Sequence, residues 1–337
     1  MKLLAICDPT QYNRPALDIP VFYQRLAADP RVDFFHASVE AVQAQNWVAA
    51  TPVQGNLSYE AFLDLNSAAQ TWHPLKDFDL VFCRTLKPFP NGYLDHLCGW
   101  AQQTQFVNNP AGIQAQIHPT FLVQVAGEFI PETIVTDNAL TAQLFFDRHS
   151  VIVAKQANSC GGRGVFKIWC TGNHFKVDNM VLGTQTFSHF AQVMNYLQGP
   201  AGKLLQFMRY LGQVDVGDKR VVVVDGEIYG AYLRRSKSGY WVNNVSFDGE
   251  CHLADISDAE REAIARTWPF YRQLGLCTLG YDFLLDDDGT WRISEINAGN
   301  IGGFARLEEL TNKPVFERFT TWLTDFAKQA QPVLIQV

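Results

Sequence analysis

The chain reads as an α/β protein in three parts: an N-terminal α/β layer, a small lid-sized α/β unit, and a C-terminal α+β part built on an antiparallel sheet. Three observations predict this. Short apolar runs alternate with a helix-like segment near the N-terminus, a glycine-rich loop separates two strand-like runs in the middle, and hairpins with Asp-Gly turns dominate beyond Arg220.

Lys2 to Cys7 is an apolar strand ending at Asp8-Pro9, Val21 to Ala28 is helix-like, and Val32 to Ala37 is a second strand. Residues 40 to 76 read as polar and irregular. Phe78 to Cys83 is a buried strand that delivers Arg84 and Lys87 beyond its end, where ligands of α/β layers often bind. Gly92 to Gln102 is helical, and Asn108-Asn109-Pro110 is a turn that closes a first domain over 1–108. A second domain spans 109–330, with a lid over about 130–203 and a catalytic part over about 204–330. The lid holds strands at Thr133 to Val135, Val151 to Lys155 and Val165 to Trp169, an Asn138-capped helix, and a helix near Phe187 to Leu197. After a strand at Leu204 to Met208, Arg220 to Val224 and Glu227 to Arg235 pair through Asp225-Gly226. Ser257 with Glu260 three residues on caps a helix over Asp258 to Gly275.

At 337 residues and 47% hydrophobic content the chain has enough core for two or three domains. A net charge of -7 with dispersed basic residues excludes the electrostatic footprint of a nucleic-acid or anionic-membrane partner. Seven cysteines without a CxxC pair point to reduced thiols and no zinc. No signal-like leader opens the sequence and no apolar stretch reaches the roughly 18 residues of a bilayer span, so a soluble cytoplasmic protein is expected.

The segment GYDFLLDDDGTWRISEINAGNIGG from Gly280 to Gly303 carries the densest chemistry. It reads as two strands joined by an acidic turn. Alternation puts Ile293, Glu295 and Asn297 on one face of the second, with Asp282 on the same face of its neighbour. Two carboxylates and an amide oxygen suit a hard cation such as magnesium; a structural ion pair is the alternative. Lys155 ends the run VIVAK and faces a loop with Gly161, Gly162 and Gly164, whose backbone N–H groups can lie along a phosphate. The alternative is a plain glycine turn; no Walker lysine follows. Arg220 and the Arg234-Arg235 pair meet at one end of their hairpin, where guanidinium groups suit a transferring phosphoryl group. Of the twins, Arg234 reads as surface charge. Asn243 and Asn244 close a polar loop. The eight histidines form no metal motif, and Cys160 reads as a small filler beside glycines.

Lys155, the CGGRG loop, DKRVVVVDGEIYGAYLRR, GYDFLL and SEIN occur in the order and spacing of ATP-grasp ligases, and nearly the whole chain resembles bacterial glutathione synthetase. The resemblance implies an ATP-grasp fold with a pre-ATP-grasp N-terminal domain. It implies an enzyme that phosphorylates a carboxylate with ATP and joins the acyl phosphate to an amine. ATP would meet Lys155, the flap of Gly161, Gly162, Arg163 and Gly164, the hinge Gln206-Phe207-Met208 for adenine, and Asn109. Asp282, Glu295 and Asn297 would hold two magnesium ions, manganese being the substitute. Arg220 and Arg235 would serve the acyl phosphate, and Arg84, Asn244, Gly302 and Gly303 the substrates. The implied partners are ATP, a small carboxylate or peptide donor and an amino-acid acceptor, in a homo-oligomer. Asn109 stands where the family carries a lysine. Ala298 to Gly303 replaces a Thr-Ser-Pro-like run, and Tyr240-Trp241 replaces glycine pairs in the substrate loop, which points to a bulkier or more aromatic substrate. A ligase of specialised metabolism or of amino-acid addition to peptides, and a nucleotide-binding protein without turnover, are the other readings.

Overall fold

Three sheets follow one another along the chain, and the computed structural model describes them over residues 1–243 and 249–329. The first contains β1 (Lys2–Ile6), β2 (Asp33–Ala37), β3 (Trp47–Pro52), β4 (Thr71–Pro74), β5 (Leu80–Cys83) and β6 (Gln105–Phe106), in the order β4-β3-β2-β1-β5-β6. Its centre is parallel and covered on both faces, which is why Leu3 to Cys7 is an unbroken apolar run no more than 1% exposed. Helix α1 (Asp18–Ala28) makes the crossover from β1 to β2.

Residues 40 to 76 are not irregular: they hold β3, α2 (Tyr59–Leu63) and β4. These antiparallel edge strands bury Val48 and Ala50 but expose Trp47 and Trp72, so their composition lacks the apolar run of a central strand. Helix α3 (Tyr93–Trp100) precedes β6. The Asn108-Asn109-Pro110 turn starts a helix. Asn109 caps α4 (Pro110–Ile117) and His118 caps α5 (Pro119–Ala126), each with proline at a first-turn position that needs no N–H donor.

The second sheet is antiparallel: β7 (Thr133–Thr136), β8 (Val151–Gln156), β9 (Val165–Thr171), β10 (His174–Asn179), β11 (Gly183–Phe187) and β12 (Leu205–Arg209), ordered β11-β10-β9-β8-β12-β7. Helices α6 (Ala139–His149) and α7 (Phe190–Gln198) pack on it around Phe146, Ile152, Phe166 and Phe207.

The third sheet, also antiparallel, has β13 (Asp218–Val224), β14 (Glu227–Ser236), β15 (Gly249–Leu253), β16 (Thr278–Leu285) and β17 (Trp291–Asn297), ordered β15-β14-β13-β16-β17. Alternation along β13 divides its two cores. Val221 and Val223 join the core that includes Ala263 and Ile264 of α8 (Asp258–Gln273), whereas Val222 and Val224 join one shared with α9 (Phe304–Thr311) and α10 (Val315–Phe326).

That second core runs on into the first sheet. Phe22 of α1 meets the rings of Phe82, Phe304, Phe316 and Phe319 at centroid distances of 5.6, 5.4, 4.7 and 5.1 Å, a cluster of edge-to-face contacts tying both ends of the chain together. Asn108, 7% exposed, adds a polar tie: its Oδ1 accepts from Cys277 N at 2.7 Å and Thr278 N at 2.9 Å, and its Nδ2 donates to Thr278 O at 3.0 Å. Among the described residues no helix is long and apolar enough to cross a membrane.

Candidate active site

Register brings the site together. Asp282 on β16 stands opposite Arg220 on β13 and opposite Glu295 on β17, so all three point to one face. Asp282 Oδ1 accepts from Arg220 Nε at 2.5 Å and from Arg234 Nη2 at 2.7 Å; Oδ2 accepts from Arg220 Nη2 at 2.9 Å and from Asn297 Nδ2 at 3.1 Å. Arg234 Nη2 also reaches both oxygens of Asp218 at 2.6 Å. Two buried guanidinium groups thus alternate with two carboxylates, and the cluster as a whole is neutral. Burial by itself would raise the Asp282 carboxyl, but Arg220 and Arg234 hold it below the usual carboxylate range. For Asp218 burial wins over Arg234, pushing its pKa up to about 6.

The placements of the twin arginines are reversed relative to the sequence expectation. Arg234 is 8% exposed and inside the cluster, while Arg235 is exposed and donates to Val216 O at 3.1 and 3.3 Å. A regular hairpin about Asp225-Gly226 would put Arg235 on the face of Arg220. Instead Val223 pairs with Ile228 and Val222 with Gly230, so Tyr229 is an extra residue and every later side chain of β14 changes face. Gly230, an isolated glycine inside a strand with φ +157°, is the sequence signal of that bulge.

A second bulge corrects the other strand. Asp282 pairs with Glu295 but Phe283 pairs with Ile293, leaving Ser294 as the extra residue. Ile293 is therefore fully buried in the core behind the sheet and does not share the face of Glu295 and Asn297. The bulged Ser294 carbonyl accepts from Lys155 Nζ at 2.6 Å. Burial lowers the Lys155 pKa against the pull of Glu295 and Asp282.

Lys155, Gln206, Glu295, Lys87 and the loop glycines Gly161, Gly162 and Gly164 line one cleft between the second and third sheets. Gly161 and Gly162 have φ of +65° and +77°, and a Cβ at Gly164 would lie 2.6 Å from Ser159, so the loop needs glycine for conformation and space. Arg163 does not point into the cleft; its Nη2 donates to Lys87 O at 3.2 Å.

Other expected residues are placed elsewhere. Phe207 and Met208 are buried in two different cores, and the backbone of Gln206 to Met208 pairs with β7 and β8 on both sides, so of the three only Gln206 lines the cleft. Asn109 is committed to its helix, its side chain accepting from Ala111 N at 2.9 Å. Lys87, at the end of the first sheet, supplies a cation to the cleft. Arg84 is buried at 1% exposure and donates to Ile301 O, with its guanidinium 4.6 Å above the Phe82 ring. Gly303 N donates to Asp18 Oδ2 at 2.7 Å, and Gly302 O accepts from Arg220 Nη1 at 3.2 Å. Both backbones hold the segment rather than face the cleft. Asn244 lies outside the described residues.

Among the described residues no three His, Cys, Asp or Glu side chains cluster as a metal site; the third donor here is an amide. The exposed Glu295 has no hydrogen-bond partner among the described residues, and Asn297 keeps its oxygen unused. A half-turn of the Asn297 amide would present that oxygen and leave Asp282 Oδ2 with Arg220 Nη2 as its one remaining donor among the described residues. This donor set fits a hard divalent cation.

Solved structures share this fold. D-cycloserine synthetase DcsG matches over 97% of this chain and 100% of its own, with 14% identity and a TM-score of 0.66. The macrocyclase MdnC from Microcystis aeruginosa, bound with its precursor peptide MdnA, matches over 96% and 100% with 15% identity and a TM-score of 0.60. Among sequences, the glutathione synthetase of Thermosynechococcus vestitus is 25% identical over 96% of this chain and 99% of its own, and that of Neisseria meningitidis 22% identical over 91% and 93%. The fold is ATP-grasp, and the protein is an ATP-dependent carboxylate–amine ligase that works with a divalent metal. The family model for the prokaryotic glutathione synthetase ATP-grasp domain matches residues 120–312, and the chain belongs to that family.

Proposed function

We propose that the chain joins a peptide or amino-acid carboxylate to the amine of a small amino acid through an acyl phosphate, with γ-glutamylcysteine and glycine as the first substrates to test. The observation that carries this is the neutral Arg220–Asp282–Arg234–Asp218 cluster beside Glu295, Asn297 and Lys155. Phosphoryl transfer asks little covalent chemistry of the protein and much positioned positive charge. Lys155 and Lys87 bring ammonium groups to the cleft, and the glycine loop brings backbone donors. Arg220 and Arg234 are held in fixed orientation by carboxylates, which pre-organises their remaining N–H groups for an anion. Magnesium held by Asp282, Glu295 and Asn297 would neutralise charge between the β- and γ-phosphates.

The test is an assay of ADP release with ATP, magnesium, γ-glutamylcysteine and glycine, with manganese in a parallel series. ADP formed only when both substrates are present is expected. No ADP with any pair from a panel of amino acids and dipeptides would overturn the ligase reading, whereas turnover with another acceptor alone removes only the glutathione assignment. Glu295→Gln should lower turnover on the order of 100-fold while leaving thermal stability unchanged, because the side chain is exposed.

A further inference from the structure

The aromatic pair Tyr240-Trp241 is hydrogen-bonded to the lid. Asp178 on β10 accepts from Tyr240 Oη at 2.5 Å and Trp241 Nε1 at 2.7 Å through one oxygen, and from Thr184 Oγ1 at 2.7 Å through the other. Phenol and indole donors aimed at one carboxylate make charge-assisted bonds, the stronger kind. The ring of Trp241 also meets that of Tyr210 at 6.4 Å, and Lys167 of β9 lies 3.8 Å from the Tyr210 centroid.

The next residue, Asn179, holds the phosphate flap. It is 1% exposed, and its amide donates to Arg163 O and Val165 O at 2.9 Å and to Gly162 O at 3.4 Å. Its oxygen accepts from Val181 N at 3.0 Å and Leu182 N at 3.2 Å, so the side chain is fixed from both ends. Gly162 itself is backed by both partners: a Cβ there would lie 2.6 Å from Met180 Sδ and 3.3 Å from Val242 Cγ1. The far end of the 236–243 segment is pinned by Asn243, which accepts from Ser236 N at 2.9 Å and donates to Val214 O at 2.5 Å.

Flap, β10 and the segment 236–243 are thus one contiguous set of contacts. We propose that Asp178 and Asn179 are positioning residues that couple the two, so that nucleotide settling under the flap orders residues 236–243 before any acid or amine binds. Tyr240 and Trp241 serve this coupling, and substrate preference resides elsewhere. The proposal rests on the ATP-ligase reading for the nucleotide alone. Coupling of this kind requires one element that both sites bias, and β10 supplies it.

Hydrogen–deuterium exchange of the full chain, with and without magnesium and the non-hydrolysable analogue AMPPNP and with no other substrate, tests it. In the wild type, exchange should slow roughly tenfold both in the flap at 158–165 and in 236–243. Asp178→Asn should keep the flap protection and lose that of 236–243 to within about twofold of the nucleotide-free rate. The double variant Tyr240→Phe, Trp241→Phe removes the donors from the other side and should do the same, which covers a disturbance of β10 by the first variant. Flap protection without protection of 236–243 in the wild type, or unchanged protection of 236–243 in both variants, would overturn the coupling. Absence of any nucleotide protection removes the ATP reading and the coupling with it.

Discussion

Arg234 and Arg235 are neighbours of the same chemistry, yet a single extra residue in β14 sends one into the buried Asp218–Asp282 cluster and the other to solvent. Arg234→Gln should lower turnover by about 10²–10³-fold, because it removes the cation whose Nη2 Asp218 and Asp282 share. Arg235→Lys should stay within about twofold of wild type. Rates of ADP release decide, and the reverse ranking would return the role to Arg235. At this scale the sequence was legible where residue type sufficed. Asp282 and Glu295 are acids inside strands, and Lys155 precedes a glycine loop. It was not legible where a backbone irregularity chose the face: period-two counting assumes a regular ladder, and the bulges at Tyr229 and Ser294 each break it by one.

Among the elements, α8 shows how a local signal acquires a tertiary task. Ser257 and Glu260 form the capping box expected from their spacing. Glu260 is also buried against Lys219, whose Nζ lies 2.9 Å from Oε1 and 4.1 Å from the centre of the Trp291 ring. Glu260→Ala should therefore cost about 3–5 kcal/mol, since it leaves the buried Lys219 ammonium without its carboxylate and the Ser257 N–H without its acceptor. Urea unfolding measures it, and a loss near the ~1 kcal/mol of a cap alone would show that the pair contributes nothing. Elements with strong local signals, such as this helix and the Asp225-Gly226 hairpin, were readable. The edge pair β3 and β4 and the short helices α4 and α5 were not, because their apolar residues bury one side only and their starts rest on Asn109 and His118 caps rather than on periodicity.

Across the whole molecule, stability should depend on acid through His36. The imidazole is 1% exposed in the first sheet, with Nδ1 2.8 Å from Tyr23 Oη and Nε2 2.8 Å from Asn66 Oδ1. Burial lowers its pKa from 6.5 to about 4, more than the Asn66 bond raises it. The unfolded chain takes up a proton below 6.5 that the folded chain refuses until about 4, so stability is lost as pH falls through that window. The interval corresponds to roughly 3 kcal/mol. Wild type should lose about that much more than His36→Gln between pH 7 and pH 4 in chemical unfolding; parallel curves for the two proteins would show that the histidine is not buried neutral. The three-part organisation could be read from composition and turns. The aromatic cluster around Phe22 that binds the C-terminal helices to the first sheet could not, because its members are hundreds of residues apart in the sequence and carry no local pattern.

The segment from Ala298 to Gly303 is held by Asp18 of α1 and by Arg84 just past β5 as well as by Arg220 of the third sheet. Asn300 adds bonds to Tyr12 Oη at 2.6 Å and Arg84 O at 2.7 Å. For recombination between family members this makes a split heritable unit. A chimera that imports residues 298–303 without the matching Tyr12, Asp18 and Arg84 breaks the unit, so the segment has to be transplanted together with distant pieces of gene.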